Sequence, residues 1–172
     1  MKNHKPKNAF RKGAITTEFI ANSIAKHQVK TSIGAHNIFL GQVRADEINT
    51  KKVAAIDYTA HEDMANLKFH EIREAAFLRF DLSCMHIYHS IGNVNAGEIC
   101  LFVFASSKRR KEVFPAIEFI VEEIKAKVPI FGNRKLFQAE ERENKRNQYY
   151  LLKKAGVKYP KIFENPKSIN KP

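Results

Sequence analysis

Tryptophan is absent from this 172-residue chain, and cysteine occurs only twice, as Cys84 and Cys100. Two thiols cannot build a disulfide framework, and theirs is not a metal-ligand spacing. Both sit in apolar, strand-like runs, where buried free thiols are expected. That usage implies a reducing, cytoplasmic setting. No run of 18 apolar residues occurs, so no transmembrane helix is expected. The basic amino terminus (Lys2, Lys5, Lys7, Arg11, Lys12) has no apolar stretch behind it and is not a secretory signal. The chain also lacks a glycine-rich phosphate loop, a Gly-x-Ser-x-Gly elbow and any internal repeat. Its histidines at 36, 61, 70, 86 and 89 form no convincing metal set. His86 and His89, three apart on a strand, should face opposite sides. No metal is therefore expected.

What is present is an ordinary globular composition with an uneven charge. Apolar residues make up 44% and charged residues 28%, enough for a real core in one domain. The net charge is +12, and residues 133–172 hold 11 basic against 4 acidic side chains. Such a balance favours anionic partners: a phosphate-bearing metabolite, a nucleic acid or an acidic protein surface. Charge alone does not choose among them.

Periodicity gives the element order α-β-β-α-β-β-α, an α+β fold with a mostly antiparallel sheet. Residues 1–13 read as a flexible basic arm. Thr16 or Thr17 can cap a helix to about His27. Strands are expected over Ile33–Val43 and Val53–Thr59, with a polar loop at 45–52. Asp63 is expected to cap a helix to Phe80, whose Ala65, Phe69, Ile72, Ala76 and Phe80 share one face. Strands at Ser83–His89 and Glu98–Ala105 flank a turn bracketed by Gly92 and Gly97. A last helix covers about Lys108–Lys127, with Val113, Ile117, Ile120, Ile124 and Val128 on one face. Pro115 should kink it or delay its start. Beyond Phe131 come a polar helix candidate (138–155) and a proline- and lysine-rich stretch (156–172), a basic helical or extended tail.

Three places can carry chemistry. Ser106-Ser-Lys-Arg-Arg-Lys111 joins an apolar strand to a helix start, where free N–H groups, the helix dipole and clustered cations attract anions. A solvated basic turn is the plainer alternative. Lys125, ahead of Pro129, sits in the last helical turn. Lysines there usually complement the dipole, but one held among cations can act as nucleophile or proton carrier. Arg44, after Gly41-Gln-Val, can fork onto a phosphate or remain a surface arginine.

Taken together, these segments resemble the large, catalytic subunit of molybdopterin synthase. The stretches that carry the resemblance are Gly34-Ala-His-Asn-Ile-Phe-Leu-Gly-Gln-Val-Arg44, Val53-Ala-Ala-Ile-Asp-Tyr-Thr-Ala-His-Glu-Asp-Met64, His86 through Glu98, Ser106-Ser-Lys-Arg-Arg110 and Lys125-Ala-Lys-Val-Pro129. Their order and separations match across about residues 14–131, which leaves 1–13 as the arm and 132–172 as an atypical tail. The resemblance implies an α/β-hammerhead-like fold and a sulfurtransferase activity in molybdenum cofactor biosynthesis. In it, cyclic pyranopterin monophosphate receives two sulfurs from a thiocarboxylated, ubiquitin-like small subunit. It implies a central homodimer with one small subunit at each end, and no cofactor or membrane.

By the same resemblance Lys125 is the catalytic lysine, and Arg44, Ser107, Arg109 and Arg110 bind the phosphorylated pterin. These cations are expected to converge beside the incoming sulfur-bearing tail. The chain departs from the family in three ways. Arg109 stands where histidine is usual, Gly132 where a second lysine is usual, and a tryptophan-bearing tail is missing. An inactive scaffold that keeps the dimer and small-subunit interface is therefore an alternative. A nucleic-acid-binding module is a further one, weakened by the lack of interleaved aromatics. Phe131-Gly-Asn-Arg134, Leu151–Gly156 and Phe163–Pro166 resemble a segment of archaeal ATP-grasp purine-biosynthesis ligases, without the rest of such a site.

Overall fold

The structure is a computed structural model that describes residues 6–138. The expected helix at 138–155 and the stretch 156–172 lie outside these residues. Among the described residues the chain divides into two units: 6–45 with 53–135, and 46–52 with 136–138.

In the first unit, β2 (Ala35–Gln42), β6 (Ile99–Ser107), β5 (Cys84–Asn95) and β4 (Lys51–Ala60) lie side by side in that order, all antiparallel. Two further strands are ones the periodicity did not reveal. β1 (Phe10–Lys12) pairs in parallel with His89–Ile91 of β5, and β7 (Ile130–Gln138) pairs with β4. Part of the expected flexible arm is thus a strand. Phe10 is buried edge-on against Phe69, and Ala9 is tied by its N–H to Asn66 Oδ1 (2.9 Å) and by its carbonyl to the His89 N–H (3.0 Å). The β5–β6 hairpin closes at Gly97, whose φ of 89° strongly favours glycine. The Gly97 N–H meets the Val43 carbonyl at 2.8 Å, which fixes the end of β2 against this turn.

Helices cover both faces of the sheet. α1 (Thr17–Gln28) starts at Thr16, whose hydroxyl accepts from the Phe19 N–H at 3.2 Å. It packs Ile20, Phe19 and Ile24 on Phe102, Phe104, Tyr88 and Ile38. Phe102 and Phe104 are wholly buried, and burial stabilises by about 1.5–3 kcal/mol for each such side chain. Alternation sends Leu101, Val103 and Ala105 to the opposite face. α2 (Glu62–Arg79) and α3 (Arg110–Lys127) pack against each other, and α3 also packs on β6 and β2. Their buried stripes are Ala65, Phe69, Ile72, Ala76 and Val113, Ile117, Ile120, Ile124, the spacing the sequence shows.

Two helix starts differ from expectation. α2 begins at Glu62 after an uncapped His61, so Asp63 lies in the first turn, where its charge complements the dipole, rather than at the cap. α3 begins at Arg110, two residues later than the expected Lys108, and runs on through Pro115 as one helix. Pro115 is the sixth helical residue, so it withholds only the donor that the Lys111 carbonyl would take.

In the second unit, β3 (Glu47–Ile48) pairs with Lys51–Lys52 through a two-residue turn. Asn49 and Thr50 both have positive φ, 48° and 66°, as a type I′ turn requires. A short hairpin thus stands where a polar loop was expected. Among the described residues no helix is long and apolar enough to cross a membrane.

Candidate functional site

The strand-to-helix turn at Ser106–Lys111 is built from below by serines. Ser107 is fully buried, and its hydroxyl donates to the Asp81 carbonyl (2.6 Å) while accepting from the Arg109 N–H (3.3 Å). Ser106 is also buried, with its hydroxyl 2.8 Å from His36 Nδ1. Gly34 closes the turn from the side. Its N–H meets the Ser107 carbonyl at 3.1 Å, and a Cβ there would lie 2.4 Å from the Lys108 carbonyl oxygen. Above this base Lys108, Arg109, Arg110 and Lys111 are all exposed, and no side chain caps the helix. Uncapped N–H groups, the positive end of α3 and four cations therefore share one surface. Ser107 shapes that surface from beneath and does not line it.

Lys125 is exposed in the last turn of the same helix, 3.9 Å from Glu122 Oε1. Its neighbour Lys127 pairs with Glu123. Lys125 is 15 residues beyond Arg110 on one continuous helix, a separation of roughly 22 Å. Arg44 is exposed just past β2. β2 starts opposite Ser107 and ends opposite Ile99, so Arg44 lies at the far end from the basic turn. α3 leaves the Ser107 end and packs on β6 and β2. From Lys125 the chain passes Pro129 into β7, where Gly132 approaches Ile56 and Tyr58, residues that pair with Val94 and Gly92. Lys135 then reaches Asn93 Oδ1 (2.9 Å) and Asp57 Oδ2 (3.5 Å).

Arg109 and Arg110 thus stand at the start of α3, Lys125 at its end and Arg44 just past β2. Within a single chain the continuity of α3 holds Arg110 and Lys125 apart. At the position of the second family lysine, Gly132 would place a Cβ 2.9 Å from Ile56 Cγ2, so a side chain there requires Ile56 to shift.

Two constellations escaped the sequence reading. Tyr58 is half-buried, and its phenol is raised well above its ordinary value, first by burial and then by its hydrogen bond with the Cys100 thiol. Burial likewise raises the Cys100 thiol. His89 meets the Tyr58 ring edge-on at 5.1 Å and is held below its usual range by burial. On the α1 face, His27, Cys84 and His86 meet. Cys84 is thus half-buried among imidazoles, while Cys100 is the buried thiol the sequence suggested. Burial, then the neighbouring His27, lower His86 to about 4. Cys84 and His86 alternate along β5, which was readable; the arrival of His27 from 57 residues away was not.

Comparison with known proteins agrees with this fold. Residues 14–127 match the family described as MoaE protein, and residues 116–163 match one described as a protein of unknown function (DUF1246). The molybdopterin synthase catalytic subunit of Pyrococcus abyssi is 40% identical over 101 residues, covering 59% of this chain and 68% of that protein. The molybdopterin synthase catalytic subunit of Drosophila grimshawi is longer, 30% identical over 118 residues that cover 68% of this chain and 32% of that protein. Molybdopterin synthase from Staphylococcus aureus superposes with a TM-score of 0.68 at 25% identity, over 79% of this chain and 96% of that one. A chain from the complex of subunits 1 and 2 of the molybdopterin-converting factor of Helicobacter pylori has the same fold, with a TM-score of 0.63 at 21% identity over 77% and 90% of the two chains.

Proposed function

Since this chain belongs to the MoaE protein family, we propose that it is the catalytic subunit of a molybdopterin synthase, a sulfurtransferase of the cytoplasm. Its substrate is cyclic pyranopterin monophosphate. Two sulfurs, each delivered as the thiocarboxylate of a small ubiquitin-like subunit, replace oxygen substituents on the pterin side chain to give the dithiolene. No nucleophile of the chain's own is needed, because the partner brings the sulfur. Lys125 orients and polarises the thiocarboxylate carbonyl or carries a proton during its attack. Arg44 holds the substrate's anionic group. Fixed cations around a charged intermediate supply most of the rate advantage of such a site.

Supporting this reading above all is the match of the chain to the family in one register over residues 14–127, a span that contains both Arg44 and Lys125. The basic turn takes part through a homodimer. Arg109 and Arg110 stand roughly 22 Å from Lys125 in their own chain, and an isologous pair brings the turn of one protomer to the Lys125 end of the other. Ser107 holds that turn in shape. The tail's likeness to a segment of ATP-grasp ligases is read as shared descent of a short segment, without ligase activity.

The test is reconstitution with a thiocarboxylated small subunit and the cyclic pyranopterin. Wild type should form molybdopterin and Lys125→Ala should not; equal product from both overturns the role of Lys125. Mixing Lys125→Ala with Arg110→Ala protomers then tests the shared site. At substrate well below KM, where Arg110→Ala is nearly silent, random pairing restores one intact site in half of the dimers, about a quarter of wild-type activity. No recovery from a mixture shown to exchange subunits places the two residues in separate sites.

A further inference from the structure

We propose that His27, Cys84 and His86 form a metal site for a zinc-class ion, tying the end of α1 to the start of β5. The donor atoms make a closed triangle: His27 Nε2 to Cys84 Sγ is 3.0 Å, Cys84 Sγ to His86 Nε2 is 3.1 Å, and His86 Nε2 to His27 Nε2 is 3.0 Å. They come from the last turn of α1 and from alternate residues of β5, which therefore share a face.

The orientation of His27 is fixed from behind. Its Nδ1 lies 2.6 Å from the Ser23 carbonyl, which can only accept, so the ring proton sits on Nδ1. The Nε2 lone pair is left pointing at the centre of the triangle. A backbone carbonyl behind an imidazole is the usual support of a metal-ligating histidine. Without a cation the triangle is short of protons. With both imidazoles neutral, Cys84 Sγ–H and His86 Nε2–H offer two, against three close edges. A cation at the centre, with the thiol deprotonated, engages all three donors at once.

Geometry and chemistry agree on the class of ion. Two imidazoles and a thiolate suit borderline-soft metals and not magnesium or calcium. Tetrahedral zinc, with Zn–N near 2.0–2.1 Å and Zn–S near 2.3 Å, separates its donors by about 3.3–3.6 Å. The triangle need open by only about 0.3–0.5 Å, within reach of small side-chain rotations. Three protein ligands leave the fourth position to water. The wall is aromatic, with the Phe104 ring 4.8 Å from His27 and 6.2 Å from His86. Cys84 pairs across the sheet with Ser106, next to the buried base of the cationic turn, so the ion braces that end of the domain. None of these residues belongs to the proposed pterin site.

Cobalt(II) titration of the full-length chain, stripped with a chelator, tests this. One equivalent should give the absorption of thiolate-to-cobalt charge transfer with tetrahedral d–d bands, and one equivalent of zinc should remove both. Cys100→Ser should keep the charge-transfer band. Cys84→Ser should lose it while keeping the wild-type far-ultraviolet circular dichroism, and His27→Gln should bind at least tenfold more weakly. Zinc should raise the Tm of wild type and leave that of Cys84→Ser unchanged. A folded wild-type chain that shows no band at one equivalent overturns the proposal, as does a band that persists in Cys84→Ser. The first of these needs no variant to fold, and none of them depends on pterin turnover.

Discussion

The two ends of α3 carry the same kind of side chain on different foundations. At its start, four exposed cations rest on a base of buried serines and a glycine in close contact with the turn. At its end, Lys125 projects from a solvated last turn, 3.9 Å from Glu122 Oε1. The first end is a constructed platform whose geometry depends on the core beneath it. The second is an exposed lysine in a solvated last turn. Substitutions should therefore separate binding and stability, which belong to the platform, from turnover, which belongs to the lysine.

The largest effect should come from Lys125→Ala. Removing one positioned charge or proton carrier lowers kcat by on the order of 10²–10³, and an exposed residue of this kind changes stability by no more than about 0.5 kcal/mol. Single-turnover rates beside urea midpoints would check both halves, and a large loss of stability would erase the contrast. Next comes Arg110→Ala, which should raise KM by about 10–100-fold through a lost charge-assisted phosphate contact. If kcat falls instead and KM holds, the turn acts in the reaction step and the two ends are less distinct.

Gly34→Ala should strike the platform alone. Its Cβ would come within 2.4 Å of a backbone oxygen, so the turn must move, at a cost of about 1–3 kcal/mol. Chemical denaturation would show it, together with weaker substrate binding. The smallest effect should be the response to acid. Burial holds His89 below its ordinary value, and lesser burial does the same for His36 at the platform end. The unfolded chain then binds the extra protons, so this stability is complete above about pH 6.5 and is lost as pH falls through that value. A fully buried group contributes at most about 1.4 kcal/mol per pH unit. His89→Gln should flatten the slope of urea midpoint against pH between 7 and 5 more than His36→Gln does.

The helices were legible because each turns one buried stripe to the sheet, and four-residue spacing survives without any knowledge of the partner. β1 and β7 were not. One is three residues inside a basic run, the other a polar strand begun by Ile130-Phe-Gly, and both gain their order only from distant pairing with β5 and β4. The candidate site was legible in its residue types but not in its arrangement. Pro115 led to the expectation of a kink or a later start, and α3 starts two residues later but stays one helix from Arg110 to Lys127. That continuity holds Arg110 and Lys125 apart and makes a second protomer part of the reading. The His27–Cys84–His86 cluster was hidden for a related reason: His27 lies 57 residues from Cys84, and sequence spacing registers only local ligand pairs.

One short strand has a practical consequence. β1 and β4 share a single flank of β5, with β1 along His89–Ile91 and β4 along Gly92–Asn95. Stripping residues 6–13 would uncover N–H and C=O groups in the middle of that flank, beside the apolar side chains that Phe10 now shields. An exposed ladder of this kind recruits strands from other molecules. A shortened chain should then form oligomers through strand exchange, so recombinant versions are better extended ahead of Pro6 than trimmed behind it.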